Sequence, residues 1–312
     1  MKLSKSTASI AVLHLFVLLV SDAAINLKML RDPRSIRLKQ NIFQQRHTSA
    51  ESCPPIDVAV LESQNLLKAT AIAHHKVANC QNEDRCLMQH FFAGMCGGQY
   101  LDIGAHDGVQ DSISHVFYAS PELHWHGVNI ELDPDNFDQL AKNRRYDLAN
   151  IHAAVCSDQA TVHYAHQQHS KTSGGIWEFT TETYRQQWWP NMTIFEAIPM
   201  QCTPLQRIID QSVKCDNMHF DLMSLNLNGA EYSSLLGLNF EKVTFGVIVV
   251  RKNENDDVNR RVDELLRSKG YDRVNDIACD VGDSKVWYVD SEFNRLYNDL
   301  IVQHQNHHLR GS

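Results

Sequence analysis

Gln99-Tyr100-Leu101-Asp102-Ile103-Gly104-Ala105-His106-Asp107-Gly108 is the stretch on which the reading of this chain turns. It reads as a short buried strand running into a glycine turn. A helix is expected from near Val109, because Ile113, Val116 and Phe117 recur at helical spacing. Gly104 and Gly108 permit backbone angles and close approaches that a side chain would block. A helix opening after such a turn would aim free N–H groups at whatever sits there. A second strand, Gly127-Val128-Asn129-Ile130, ends in Glu131, 27 residues past Gly104. An acidic residue at that distance can accept hydrogen bonds from ribose hydroxyls. The geometry is that of a nucleoside cofactor, although the glycines depart from the dinucleotide pattern G-x-G-x-x-G.

Outward from this stretch the elements alternate. Strand 100–103 is followed by a helix from about 109, strand 127–131, helix 135–145 and strand 150–155. A strand at 161–164 precedes a polar stretch, 165–190, that reads as a long loop rich in His, Gln and Trp. A short helix at 203–209, strand 220–227, a helix from Glu231, strand 244–250, helix 257–268 stopped by Gly270, and strand 285–289 complete the series. Alternation of this kind predicts an α/β fold with a mostly parallel central sheet and helices on both faces. Ligands in such sheets lie beyond the carboxyl ends of the strands, where the strand order reverses. Gly104, Glu131, Ala154 and Asn226 all fall near those ends, so positions far apart in sequence are expected to converge on one crevice.

The flanks read differently. Lys2 and Lys5 precede an apolar run from Ile10 to Val20, and small residues follow, which is the order of a secretory signal. Residues 1–23 are therefore expected to be a signal peptide. The alternative is a single-pass anchor at 10–20, but that run is short of the roughly 20 residues a stable membrane span needs. Residues 24–55 read as a polar basic stem, 56–98 as a helical cap with a cysteine cluster, 99–292 as the core domain and 293–312 as a polar tail. The 8 cysteines suit disulfides in an oxidising compartment, with at least one bridge tying the cap to the core. Cys156, in a strand, is the one that best fits a merely buried thiol. Asn191-Met192-Thr193 is a glycosylation sequon, usable only in the secretory pathway. A net charge of −8 argues against a nucleic-acid partner, which would need a basic surface.

Taken together and in order, four segments resemble the FkbM-type family of S-adenosylmethionine-dependent methyltransferases. Leu101 to Gly108 resembles the family's D-I-G-A-N-x-G motif, and Asn129-Ile130-Glu131-Leu132-Asp133-Pro134 its I-E-P-x-P segment. Ala153-Ala154-Val155 resembles its A-A-V strand, and Ser224 to Glu231 its S-L-D-V-E-G-A-E segment. The resemblance runs from about Tyr100 to Tyr271. It implies a Rossmann-like class I methyltransferase fold and methyl transfer from S-adenosyl-L-methionine, usually to a hydroxyl. It places Asp102, Gly104, His106, Gly108, Glu131, Asp133 and Ala154 around the cofactor, with the methionine end at Asp102 and Gly104, the ribose at Glu131 and the adenine at Ala154.

The departures from the family pattern fall on the acceptor side. Asn226 stands where Asp is usual, Asn228 where Glu is usual, and Arg251 where an acidic residue is common. Asn226, Asn228 and Glu231 are the candidate catalytic positions. Asn resembles Asp in shape but can neither take a proton nor carry charge. A general base is thereby lost, and so are hard ligands for a divalent metal; no metal is expected. Glu231 has an equal claim to a helix-start role. His163, His166 and His169, at three-residue spacing, would share a face only on a helix, and the region reads as strand then loop. Trp177, Trp188 and Trp189 either line an acceptor pocket or pack the loop down. Two functions remain: a secreted or luminal O-methyltransferase acting on a small-molecule or glycan-like acceptor, or an inactive relative that serves as a binding module for a protein partner.

Overall fold

The computed structural model describes residues 83–92, 95–121, 123–167, 170–213, 218–274 and 284–293. All of them belong to one compact unit, Arg46–Ser312. The expected signal peptide, stem, helix 58–78 and the tail beyond Phe293 lie outside the described residues. No helix among the described residues is long and apolar enough to cross a membrane.

Strands β1 (Gln99–Ile103), β2 (His126–Glu131), β3 (Ala149–His152), β8 (Met218–Leu225), β9 (Val243–Arg251), β10 (Tyr271–Val274) and β11 (Lys285–Asp290) form one sheet. Its order is β10-β11-β9-β8-β1-β2-β3. The run from β9 to β3 is parallel, and β11 is antiparallel to both its neighbours. β8 is buried along its whole length and β9 along all but its second and last residues, as near-continuous apolar runs in a covered parallel sheet should be. From β1 the chain winds outward through β2 to β3, and from β8 it winds the other way to β9. The order therefore reverses between β1 and β8, and the carboxyl ends of those two strands open the crevice.

The core lies on this sheet. Leu101, Ile103, Val128, Phe220 and Phe245 pack against Leu205, Ile208 and Ile209 of helix α5 (Leu205–Ser212), Leu235 of α6 (Glu231–Leu236) and Val262 and Leu266 of α7 (Asp256–Ser268). Rings at Phe92, Phe117 and Trp125 join the end of α1 (Glu83–His90) to α2 (His115–Ala119), with centroids 4.5–5.5 Å apart.

Three sequence expectations are corrected here. The helix expected from Val109 is only the five-residue α2, starting at His115. Turns occupy 106–114 instead, with His106 at φ 53° and Asp111 at φ 57°, and Ser112 and Ser114 are drawn onto the Asp102 carboxylate. The helix thus starts 7 residues past Gly108 rather than at the glycine turn. Second, 165–190 is no loop. β5 (Thr161–Gln167) and β6 (Ser170–Ile176) form a hairpin, a 3-10 turn covers Trp177–Phe179, and α4 spans Glu182–Trp188. Together with β4 (Ala154–Cys156) and β7 (Ile198–Pro204) the hairpin makes a second sheet, ordered β4-β7-β5-β6. The expected strand 150–155 is split between the two sheets. Third, Cys156 is not a lone buried thiol. It forms a disulfide with Cys202, Cα–Cα 5.9 Å, across β4 and β7. Cys86 and Cys96 are disulfide-bonded as well.

The glycine turn is held from beneath by Arg144, which follows α3 (Pro134–Asn143) and is fully buried. Its Nε donates to the Gly108 carbonyl at 2.5 Å, and one terminal nitrogen to the Tyr100 hydroxyl at 2.8 Å. The other terminal nitrogen donates to Ser112 and Ser114 Oγ at 2.8 and 2.9 Å. Those hydroxyls in turn donate to Asp102 Oδ2 at 3.1 and 2.6 Å. Asp147 completes the set, with an oxygen 3.6 Å from Arg144 and both oxygens accepting from Tyr100 at 2.6 Å. A guanidinium removed from water persists only when partnered in this way.

Arg144→Met should therefore lower folding stability by about 3 kcal/mol or more, since it strands Asp102 and Asp147 in the interior; denaturant titration measures it. Cys202→Ala opens a loop of 46 residues' separation. It should cost about 4 kcal/mol on the chain-entropy estimate, seen as a loss of melting temperature that a reducing agent does not deepen at this bond.

Candidate functional site

The crevice is built at the carboxyl ends of β1, β2 and β8. Gly104 follows β1 at φ 78°, and its amide donates to the Ile130 carbonyl at 2.9 Å, carrying the β1–β2 pairing one step further. A Cβ on Gly104 would collide with the carbonyl oxygen of Asn226. Asn226 donates its amide to the Ile103 carbonyl at 2.9 Å, so the end of β8 is laced to the turn. Both conditions, positive φ and backbone contact, demand glycine at 104. Gly108, at φ 75°, is pressed against Leu140 and Arg144 in the same manner.

Glu131 ends β2 and is nearly buried. One carboxylate oxygen accepts the amide of His106 at 2.7 Å and the other that of Asp133 at 2.8 Å. Burial pushes its pKa up, against the pull of those two amides and of His106. A carboxylate offers about four acceptor positions, so roughly two remain for hydroxyls. The His106 pKa is raised although burial works the other way, because the Asp107 and Glu131 carboxylates outweigh it. Asp107 is held down at about 2: burial opposes this, but His106 and the amides of Val109 and Gln110 prevail.

Two of the expected cofactor residues have other partners. Asp133 caps α3 by accepting the Asn136 amide at 2.8 Å, and its second oxygen accepts from the Tyr164 hydroxyl of β5. Burial and Asp133 together push the Tyr164 pKa far up. Ala154 is fully buried in β4, in the second sheet, among Cys156, Cys202 and Ala230. The structure thus brings Asp102, Gly104, His106, Gly108, Glu131 and Asn226 to one place and sets Ala154 in the adjoining layer.

On the other side of Asn226, the side chains are tied into structure. Asn226 Oδ1 accepts from Arg251, at the end of β9, at 3.1 Å. Asn228, at φ 50°, donates to the Gly174 carbonyl of the β5–β6 hairpin at 2.7 Å. Glu231 folds back over its own turn, its oxygens accepting the amides of Leu227 at 3.0 Å and Gly229 at 2.9 Å. Burial raises its pKa, opposed by those amides and by Arg251. Glu231 is thus a clamp on the 227–230 turn, the helix-start alternative in a more specific form. A cleft of about 370 Å³ opens here between the end of β9, α7 and β11, with Arg251, Lys252, Val258, Val262 and Tyr288 on its walls. A smaller one of about 50 Å³, toward Tyr184, shares Arg251 and Lys252 with it.

The histidines and tryptophans are placed by the second sheet. His163 Nδ1 lies 2.6 Å from Glu178, and His166 stacks on Tyr164; His169 lies outside the described residues. Among the described residues no group of His, Cys, Asp and Glu is placed to hold a metal. Trp177 stacks on Trp189, with Tyr184 edge-on to Trp189, so these rings pack the segment against itself. Sequence reading missed Arg144 and the partnership of Asn226 with Arg251. Arg144 stands in the polar run Lys142-Asn143-Arg144-Arg145, which reads as an exposed helix end.

No curated protein matches this chain in sequence. Among solved structures, it is similar to a methyltransferase FkbM from Methylobacillus flagellatus KT, at 14% identity over 61% of this chain and 43% of that one, TM-score 0.37. It is also similar to a TehB-like SAM-dependent methyltransferase from Corynebacterium glutamicum, at 12% identity over 75% and 96%, TM-score 0.35. A third is Aeropyrum pernix fibrillarin with natively bound S-adenosyl-L-methionine, at 11% identity over 62% and 67%, TM-score 0.33. The chain spans under half the length of the first of these. The sequence model of the methyltransferase FkbM domain matches residues 102–273, from the aspartate of the glycine turn to the strand after α7 and more than half of the chain, and the protein therefore belongs to the FkbM methyltransferase-domain family.

Proposed function

We propose that this protein is an S-adenosyl-L-methionine-dependent methyltransferase of the secretory pathway that acts on an oxygen of a small-molecule or glycan-like acceptor. The observation that carries the proposal is the Glu131 carboxylate, fixed by the amides of His106 and Asp133 at the end of β2, next to the strand at which the sheet order reverses. A pre-oriented carboxylate with acceptor capacity to spare fits the ribose hydroxyls of a nucleoside cofactor. Gly104 and Gly108 let backbone approach closely beside it. Asp102 would face the methionine end, its Oδ2 held by Ser112 and Ser114. When bound, the cofactor supplies a methyl group already activated on a sulfonium.

The chain's own contribution is binding, orientation and exclusion of water. A well-oriented pair needs no further covalent help from the protein to gain a large part of the rate. The secretory address is supported by the Cys156–Cys202 disulfide and by the exposed placement of Asn191 and Thr193 in the sequon. A second reading, an inactive methyltransferase-fold protein that binds a partner, is favoured by one observation. Asn226, Asn228 and Glu231 each spend their side chains on neighbouring groups of the chain itself.

Calorimetric titration tests the first reading, since the inactive protein could bind the cofactor or not. S-adenosyl-L-methionine and its demethylated product should both bind at micromolar strength, and Glu131→Ala should weaken both at least tenfold. A well-folded chain that binds neither is the inactive module.

A further inference from the structure

Asn226 and Arg251, at the ends of β8 and β9, meet in one contact. Arg251 donates through one nitrogen to Asn226 Oδ1 at 3.1 Å. No carboxylate oxygen of the described residues lies within the 4 Å of an ion pair from it. Glu231 contributes charge from deeper in the fold, but both its oxygens are bound to backbone amides. The other arginines of the same cleft are occupied: Arg260 by Asp257 and Glu264, Arg273 by Asp263. Arg251 is half-buried and lines this cleft, and four of the five N–H groups a guanidinium offers are not used in the bond to Asn226. A planar fork of this kind matches a carboxylate. Asn226 in turn lies with its carbonyl against Gly104, so the guanidinium is one side chain away from the glycine turn.

A hydroxyl acceptor must shed a proton as it is methylated, and of the carboxylates lining the cleft Glu231 is bound to backbone amides and Asp263 to Arg267 and Arg273, which leaves the exposed Asp256. A carboxylate acceptor sheds none. We infer that the acceptor oxygen belongs to a carboxylate, that Arg251 holds that carboxylate in the cleft beside β9, and that the product is a methyl ester. This inference rests on the methyltransferase reading above. The balance is complete without a base. The carbon–sulfur bond of the sulfonium breaks, a carbon–oxygen bond to the carboxylate forms, and the sulfur leaves as a neutral thioether. One positive and one negative charge disappear together. Asp256, exposed on the first turn of α7, is the opposing charge on the cleft wall, and its removal should strengthen the anion's hold.

The test uses the full chain and two sugar probes that differ at one carbon: D-glucuronate, a carboxylate, and D-glucose, a hydroxymethyl. In saturation-transfer NMR, glucuronate should give a signal that glucose does not. Arg251→Gln should weaken it at least tenfold, and Asp256→Asn should strengthen it. Equal signals from both sugars, or glucuronate binding that survives Arg251→Gln, would overturn the inference. Methyl-labelled S-adenosyl-L-methionine supplies the second readout. Label transferred to glucuronate should be released as methanol by mild alkali, and alkali-stable label would mark an ether and sink the proposal. Titration of S-adenosyl-L-methionine alone separates the failures. If it binds but the sugars are not distinguished, only the acceptor assignment fails. If it does not bind and glucuronate still requires Arg251, the anion site stands and the methyltransferase reading fails.

Discussion

One buried guanidinium holds the crevice together. Arg144 reaches the turn at Gly108, the strand at Tyr100, and the serines that cover Asp102, all without contact with water. Tyr100 belongs to β1 and the other groups to both ends of the turn that follows it, so the turn between β1 and α2 cannot shift without breaking several charge-assisted hydrogen bonds at once. The turn has little regular structure of its own, since helix begins only at His115. Its shape comes from the arginine beneath it and from the carboxylate of Glu131 above it. The glycine-turn side of the crevice is thus preformed by polar contacts inside the protein.

Beyond the end of β8, three residues expected to bear chemistry are held by bonds within the chain, and one of them joins the two sheets. Asn228 reaches Gly174 of the hairpin, and Tyr164 of the same hairpin reaches Asp133 at the cap of α3. A Cβ on Gly229 would collide with the Phe179 carbonyl, so the turn before α6 and the 3-10 turn after the hairpin touch through backbone. Part of the second sheet, β6 and the end of β5, is built from the stretch whose polarity reads as a loop. The asparagine at position 226 and the arginine at position 251 make sense as a pair. A carboxylate in place of the Asn226 amide would form an ion pair with Arg251 and serve poorly as a base, so Asn226→Asp alone would not restore general-base chemistry.

The alternation of apolar strands and amphipathic helices was readable because the parallel sheet is buried on both faces, and burial leaves a strong pattern in β8 and β9. The glycine turn and Glu131 were readable because they depend on local backbone geometry and a fixed spacing. Asp133, which the resemblance sets beside the cofactor, caps α3. What was not readable depends on long-range partners. β6, Ser-Lys-Thr-Ser-Gly-Gly-Ile, has almost no apolar residues and is a strand because β5 supplies its hydrogen bonds. Arg144 looks like one of two adjacent surface arginines until tertiary structure closes over it. Cys156 pairs with a cysteine 46 positions away, which no spacing rule identifies.

The most direct test of this account is a crystal structure of the chain soaked with S-adenosyl-L-homocysteine. The account predicts the ribose hydroxyls on Glu131, with the amides of His106 and Asp133 still bound to the same carboxylate and the Arg144 network unchanged. Density for the nucleoside elsewhere, or a Glu131 carboxylate turned away from both amides to admit it, would contradict a preformed crevice.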